Sequence, residues 1–273
     1  MDSSEQRRLR YAAKVAEAAG IGSSRIERAF ASVPRENFLP PPPWTVISQG
    51  TAVQTSDIDD IYANVLVAID RTRGINNGEP ALHAAWMDAV GPQPGETVIH
   101  VGAGTGYYTA ILARLVELGG RVEAYEYETD LAAIAARNLS GYPQVSVHAG
   151  SAFGRILASA EVIYVNAGAA APDREWLRAL HRGGRLIFPW QPHGNWGPAM
   201  LVTRTANGYR AKPLMSVGFI GCSGATTGDP VGSGPSESDV AATRSIWLTA
   251  EREPDASATA IYDDVWFSSV NVD

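Results

Sequence analysis

Apolar residues recur at helical spacing from the start of the chain. Leu9, Ala12, Ala13 and Ala16 share one face of a helix predicted over 4–19, behind serine caps and ended by Gly20. A second helix follows, in which Ser24 and Glu27 read as a capping box, Ile26, Ala29, Phe30 and Val33 form one stripe, and Pro34 ends it. From "FLPPPPW" to Asp57, prolines and polar residues break the pattern, which predicts an irregular segment wrapping the domain. "IYANVLVAID" fits a short strand or a helical turn equally well. Behind Asn76, Asn77 and Gly78 a further helix, "EPALHAAWMDAV", carries Pro80 in its first turn.

An alternation then organises the chain. Strand "ETVIHV", a glycine loop, helix "YYTAILARLVEL", strand "RVEAYEY", helix "TDLAAIAARNL", strands "VSVHA" and "EVIYVNA", helix "DREWLRAL" and strand "GRLIFPW" follow in order. Strands alternating with helices of this length predict βαβ units and a parallel sheet, doubly wound because crossovers are right-handed. "AMLVTRTANGYRAKPLMSVGFI" then reads as a hairpin around an Asn-Gly turn, which adds antiparallel pairing. Residues 222–238 are rich in Gly, Ser and Pro and read as a mobile loop or linker. The tail 239–273, helix-like through Trp247 and closing on "VWFSSV", reads as an extension packed on the domain. The expected organisation is therefore an N-terminal helical and wrapping segment (1–78), an α/β domain (79–221), and a linker with a C-terminal extension (222–273).

Composition narrows the function classes. Hydrophobic residues make up 45% and charged residues 19% of the 273, as in a chain that folds around its own core. The net charge of −7 and the lack of a basic run make nucleic acid a poor partner. "RRLR" falls in a helical pattern with Glu5 and Glu17 and reads as a solvated face. Cys222 is the only cysteine, so no intrachain disulfide and no cysteine metal site is expected, in keeping with a reducing compartment. No apolar run approaches a membrane span, and "MDSSEQRRLR" lacks a signal-peptide core, so a cytoplasmic location without membrane partners is the expectation.

The most informative stretch is "HVGAGTGYYTA", with Gly102, Gly104 and Gly106 directly behind an apolar strand. A nucleotide-binding βα turn must bend tightly, let a ligand touch the backbone, and open a helix with free N–H groups, and glycine permits all three. Position 107 is Tyr, so the third glycine of the dinucleotide pattern is missing. Glu126 ends the next strand, about twenty residues on, where a carboxylate can accept from two ribose hydroxyls. A tight turn and a solvated carboxylate would explain each feature alone; together they point to an adenosine-containing cofactor.

These residues make the chain resemble class I S-adenosylmethionine-dependent methyltransferases, and among them the protein-L-isoaspartate O-methyltransferase family. "AFASVPRENFLP", "IYANVLVAID", "NNGEPALHA", the glycine block through "ARNL", "VHAGSAFG", "VNAGAAAP", "LHRGGRLIFPW" and "MSVGFI" run in family order over about 28–221. The resemblance implies an α/β, Rossmann-like, doubly wound seven-stranded sheet with an antiparallel final hairpin, and S-adenosyl-L-methionine across the carboxyl ends of its strands. By motif position, Gly102, Ala103, Gly104, Thr105 and Gly106 would approach the methionine part, and Glu126 with Tyr127 the ribose. His83, Gly150 and Ser151 would contact cofactor and adenine, and His100 and Asn166 complete the implied cofactor set. Three departures stand out. Asn76, Asn77 and Gly78 replace the family's Thr-Ile-Ser, removing the hydroxyl expected beside the methyl group; His100 replaces an acidic residue; and Ser151 follows Gly150 where Asp is usual.

Methyl transfer from a sulfonium is an in-line displacement, and a carboxylate acceptor, already ionised at neutral pH, needs positioning and exclusion of water rather than a base. No catalytic residue is therefore singled out. No D/N-P-P-aromatic tetrapeptide of N-methylation and no metal cluster is evident, and His148 and His181 read as structural. Asn76 and Asn77 either donate to an acceptor carboxylate or, with Gly78, merely form a turn. Trp86 reads as core, whereas Trp190 and Trp196, after the "GGRLIFPW" strand, are candidates to line an acceptor pocket, with Trp44 a further aromatic. The expected activity is O-methylation of a carboxylate on a protein, peptide or small molecule, isoaspartyl by family default. A tailoring enzyme for a biosynthetic peptide or metabolite, and a silent cofactor-binding homologue, are the alternatives; the oligomeric state is left open.

Overall fold

The computed structural model describes residues 3–194, 196–225, 230–232 and 234–272. Parts of the linker expected over 222–238, at 226–229 and 233, lie outside the described residues, as do Met1, Asp2, Asn195 and Asp273.

Helix α1 (Ser4–Ala19) starts on a Ser3/Gln6 capping box and stops at Gly20 in the left-handed region. Helix α2 (Ser24–Ser32) is capped one residue earlier than expected, because the Ser23 side chain accepts from the Ile26 N–H. A 3-10 turn, Arg35–Phe38, follows.

The segment expected to be irregular instead holds a hairpin, β1 (Trp44–Ser48) and β2 (Thr51–Thr55). Its two-residue turn puts Gln49 at φ 48° and Gly50 at φ 77°, the pair of positive values whose twist suits a tight hairpin. The prolines lie before it and leave it unbroken. "IYANVLVAID" divides between both readings, ending helix α3 (Ile58–Ile61) and supplying β3 (Leu66–Asp70). Strand β4 (Ile75–Asn76) completes a four-stranded sheet ordered β2-β1-β3-β4. Helix α4 (Pro80–Val90) opens with its proline, whose missing N–H is not needed there.

The βα alternation appears as expected: β5 (Thr97–Val101), α5 (Tyr107–Val116), β6 (Arg121–Glu126), α6 (Thr129–Asn138), β7 (Val145–Ala149), β8 (Ala160–Val165), α7 (Arg174–Ala179) and β9 (Leu180–Pro189). The hairpin β10 (Trp196–Arg204) and β11 (Tyr209–Gly218) follows. Beyond it come α8 (Glu237–Ala242), β12 (Ser245–Leu248), β13 (Ala258–Ile261) and β14 (Val265–Ser268).

Hydrogen-bonded neighbours in the larger, mixed sheet run β13-β14-β12-β11-β10-β9-β8-β5-β6-β7. β5, β8 and β9 pair in parallel, and β9 onward through the tail in antiparallel. The seven expected strands are the run β11 to β7, so the sheet is three strands larger than the sequence predicts. The tail, read as helical through Trp247, is helical only in α8. Strand β14 is buried throughout and β12 at Ser245, Ile246 and Leu248, and the two cover the edge β11 would otherwise leave open.

The chain divides into two compact units. The first comprises 1–96, 103–124 and 128–148, with an aromatic core of Tyr11, Phe30, Phe38, Tyr62 and Tyr107. Tyr11 meets Tyr62 edge-on at 5.3 Å, a geometry that suits ring quadrupoles. The second comprises 97–102, 125–127 and 149–273, and its core takes in Ile163, Phe188, Met200 and Phe267. Trp190 and Phe267 stack there at 4.1 Å.

Candidate active site

The three glycines of the βα turn all have positive φ, 78° at Gly102, 57° at Gly104 and 97° at Gly106, yet their surroundings differ. In the second unit, the Gly102 N–H donates to Tyr125 O at 2.9 Å, and a Cβ there would lie 3.4 Å from the Asn166 backbone. In the first unit, a Cβ at Gly106 would come within 2.8 Å of Leu139, whereas one at Gly104 would meet nothing within 4 Å. Gly102 and Gly106 thus admit close protein packing, whereas the side-chain position of Gly104 opens onto empty space. Between them Ala103 and Thr105 are buried, and the Thr105 hydroxyl donates to Phe38 O at 2.5 Å. Thr105 therefore anchors the turn to the 3-10 turn that holds Arg35.

At the strand ends of the second unit, Glu126 is buried and its carbonyl accepts from the Gly150 N–H at 2.8 Å. Gly150 has φ 113° with nothing near a would-be Cβ, and the adjoining Tyr127 is exposed. The segment 220–225 passes here: the Ser151 hydroxyl donates to Gly224 O at 3.3 Å, and Cys222 N–H donates to Gly168 O at 2.8 Å. Burial, and then the charge of Glu126, push the Cys222 thiol up to about 12, so it stays protonated. Nothing in the linker-like composition of 222–238 marks this approach.

His100 is fully buried, and desolvation lowers its pKa to about 3, so the ring is neutral. The Asn166 amide nitrogen stands 2.9 Å from His100 Nε2; since that nitrogen only donates, Nε2 accepts. Asn166 Oδ1 is then left buried with no hydrogen-bond partner among the described residues. A buried orphan acceptor is uncommon in a native structure and marks a place where a donor from a ligand fits.

The turn Asn76–Gly78 belongs to the first unit. Gly78, at φ 70°, donates its N–H to Asn76 Oδ1 at 2.9 Å. A Cβ at Gly78 would fall 2.5 Å from His83 Nε2, and His83 itself stacks on Tyr108 with ring centroids 3.6 Å apart. Asn77 is buried; its N–H donates to Val67 O at 2.7 Å, and its Oδ1 accepts from Arg35 Nε at 3.1 Å. Gly78 O accepts from Arg35 Nη2 at 3.4 Å and from the Tyr108 hydroxyl at 3.2 Å. Arg35 and Phe38 sit in one turn, and Phe38 O holds Thr105, so the glycine turn and the Asn76–Gly78 turn are tied together through it. Sequence reasoning assigned Arg35 no role beyond its place in "VPRENF"; its burial among tyrosines depends on contacts far apart in the chain.

Trp190 is fully buried, stacked on Phe267, and donates to Ala170 O at 2.8 Å, so it packs the core rather than an open pocket. Trp196, by contrast, is 70% exposed at the start of β10. Trp86 and Trp44 are buried. His148 pairs with Glu123 at 2.6 Å and His181 with Glu161 at 3.4 Å. Among the described residues no three His, Cys, Asp or Glu side chains gather as a metal site, and no helix is long and apolar enough to cross a membrane.

The sequence profile of the protein-L-isoaspartate(D-aspartate) O-methyltransferase family matches residues 12–227. This chain belongs to that family. It is a methyltransferase, and the family resemblance drawn from the glycine block holds. Among its relatives, the protein-L-isoaspartate O-methyltransferase of Aeropyrum pernix is 33% identical over 197 residues, 69% of this chain and 68% of that protein. A solved protein-L-isoaspartate O-methyltransferase superposes with TM-score 0.71 at 21% identity, covering 95% of this chain and 86% of that one. A Plasmodium falciparum beta-aspartate methyltransferase, solved in complex with S-adenosyl-L-homocysteine, gives TM-score 0.64 at 17% identity, covering 79% of this chain and 97% of that one. At these identities the two structures speak for the shared fold.

Proposed function

We propose that this methyltransferase moves the methyl group of S-adenosyl-L-methionine to the free carboxylate of an isoaspartyl residue in a protein or peptide. The observation that carries the cofactor assignment is the open side-chain position at Gly104 followed, at the next strand end, by buried Glu126. The residues fit the cofactor on further grounds: Gly150 adds a second open backbone position, and Asn166 Oδ1 is a buried acceptor awaiting a donor. The family's solved relative from Plasmodium falciparum holds the demethylated form of the same cofactor.

Glu126, with Tyr127 beside it, would accept from the ribose hydroxyls, and Gly150 and Ser151 would border the adenine. Gly102 to Gly106 would pass along the methionine part, with Asn166 receiving a polar hydrogen and neutral His100 holding the Asn166 amide in place. Ala103 and Thr105 contribute backbone, since the Thr105 hydroxyl is engaged by Phe38. His83, packed against Gly78, would face the cofactor from the turn.

When bound, the cofactor supplies an electrophilic methyl on a sulfonium. The chain's own part is to hold the acceptor carboxylate in line, within about 3 Å of that carbon, and to keep water out. Asn76, Asn77 and Gly78 would contact the acceptor, and exposed Trp196 stands free to meet the peptide that carries it. No base is required because the acceptor is ionised at neutral pH.

Incubating the protein with an isoaspartyl peptide and methyl-labelled S-adenosyl-L-methionine should yield a base-labile methyl ester. Absence of ester, with S-adenosyl-L-homocysteine still bound, would move the assignment to a small-molecule acceptor or to a silent cofactor binder. Glu126→Ala should weaken S-adenosyl-L-homocysteine by at least tenfold in calorimetry, about 1.5–3 kcal/mol for hydrogen bonds to a charged group.

A further inference from the structure

Arg35 presents five N–H donors, and each has an acceptor in the fold. Nε–H goes to Asn77 Oδ1 at 3.1 Å, Nη1 to Ile61 O at 2.7 Å and Ala63 O at 3.1 Å, and Nη2 to Val65 O at 2.8 Å and Gly78 O at 3.4 Å. The guanidinium is fully buried, lying 6.0 Å over the Tyr11 ring and 5.8 Å over that of Tyr107. Among the described residues no carboxylate pairs with it. Burial opposes its charge, but the surrounding phenols, Tyr11 foremost, offset this and leave its pKa raised, so it stays a cation. With every donor engaged and no surface open, Arg35 cannot touch a substrate itself.

Asn77 is the one side chain to which this cation passes a hydrogen bond. Arg35 only donates, so the amide oxygen must face it and the amide NH2 must face away. Asn77 is 6% exposed, and its NH2, without a hydrogen-bond partner among the described residues, is not one of the fully buried unpartnered atoms, so the amide nitrogen keeps access to solvent. A donor fixed from behind by the bond to its oxygen and open to solvent in front is placed to meet an acceptor on a ligand. Asn76 differs, since its Oδ1 accepts from the Gly78 N–H and no cation stands behind it among the described residues. A hydrogen bond from a cation into the amide oxygen also polarises the amide and strengthens its NH2 as a donor.

We propose that Arg35 and Asn77 form a relay in which the buried guanidinium orients and polarises the Asn77 amide, whose NH2 binds the carboxylate that accepts the methyl group. The proposal rests on the carboxylate-acceptor function above and names how that carboxylate is recognised. Asn77 is then a binding residue and Arg35 a positioning residue. The relay favours an ionised acceptor twice over, by the donor and by the positive charge behind it, which suits a chain whose net charge of −7 otherwise repels anions.

The test is Asn77→Asp, which keeps an oxygen for Arg35 Nε and replaces the NH2 by a second oxygen. Methyl transfer to an isoaspartyl peptide should show KM raised at least tenfold with kcat changed less than threefold, S-adenosyl-L-homocysteine affinity within twofold, and a melting temperature no lower than wild type. A merely structural Asn77 would move stability and leave KM alone. An unchanged KM, or an equal loss of cofactor affinity, overturns the relay. Should Asn77→Asp fail to fold, the wild-type protein loaded with S-adenosyl-L-homocysteine should bind the free-acid peptide at least tenfold tighter than its methyl ester, and equal binding overturns the proposal. A wild-type protein that transfers nothing to the peptide removes the acceptor assignment itself; an active wild type with an indifferent Asn77→Asp removes only the relay.

Discussion

Gly104 and Gly78 both hold positive φ, 57° and 70°, but a Cβ at the first meets nothing within 4 Å and one at the second strikes His83 at 2.5 Å. One turn is bare toward open space and the other toward protein. Their supports differ as well. His100, on the strand that leads into the glycine turn, is a neutral imidazole hydrogen-bonded to Asn166, whereas Arg35, bonded to Asn77 and Gly78, is a buried cation. The same backbone device thus serves two ends. Where the missing side chain leaves space open, as at Gly104, the turn suits the cofactor contact proposed above; where a neighbour fills that space, as at Gly78, packing shapes the turn.

Substitution at the packed glycine should have the largest effect. Gly78→Ala adds left-handed strain and a collision with His83, together about 3 kcal/mol of lost stability by urea unfolding. Double substitution with His83→Ala should recover the collision part. If Gly78→Ala is neutral, the distinction between the two turns fails.

The neutral support predicts a pH dependence. His100 binds its proton less readily folded, with pKa about 3, than unfolded, where it is about 6.5. Its contribution is fully present above pH 6.5 and is lost as pH falls toward 3. Between pH 7 and pH 5 this should remove about 2 kcal/mol of unfolding free energy, at about 1.4 kcal/mol per pH unit below the unfolded pKa. His100→Gln should lack this component, and a wild-type difference curve flat over that range would show the ring is not the buried neutral group it is taken for here.

The open glycine sharpens the contrast with the smallest effect. Asparagine tolerates φ near 57°, so Gly104→Asn should change stability by less than about 0.5 kcal/mol. It should nonetheless weaken S-adenosyl-L-homocysteine about tenfold, near 1.4 kcal/mol, in a calorimetric titration. Equal binding by Gly104→Asn and wild type would mean the bare face at 104 serves no ligand.

Much of this molecule was legible in the residues. The caps of α1, the proline opening α4, the βα alternation and the hairpin at β10–β11 follow rules that act over a few neighbours. The β1–β2 hairpin was masked by the four prolines before it, although Gln49-Gly50 between β-branched residues carried the signal. Trp190 stood beside Trp196 in a loop-like sequence. Phe267, 77 positions later by number, makes the first a core ring and leaves the second exposed.

The amino-acid order by itself determined the helices and strands of the βα alternation and the glycine turn with Glu126 after it, because each rests on backbone chemistry over one turn or one strand, and its motifs in family order carried the resemblance to the methyltransferases. Only the tertiary structure decided that the tail would extend the sheet and that Arg35 would exhaust its five donors on carbonyls and one amide 42 residues along the chain. Those outcomes depend on which distant groups burial brings together, and a buried charge or an uncovered strand edge takes whatever partner the finished fold places beside it.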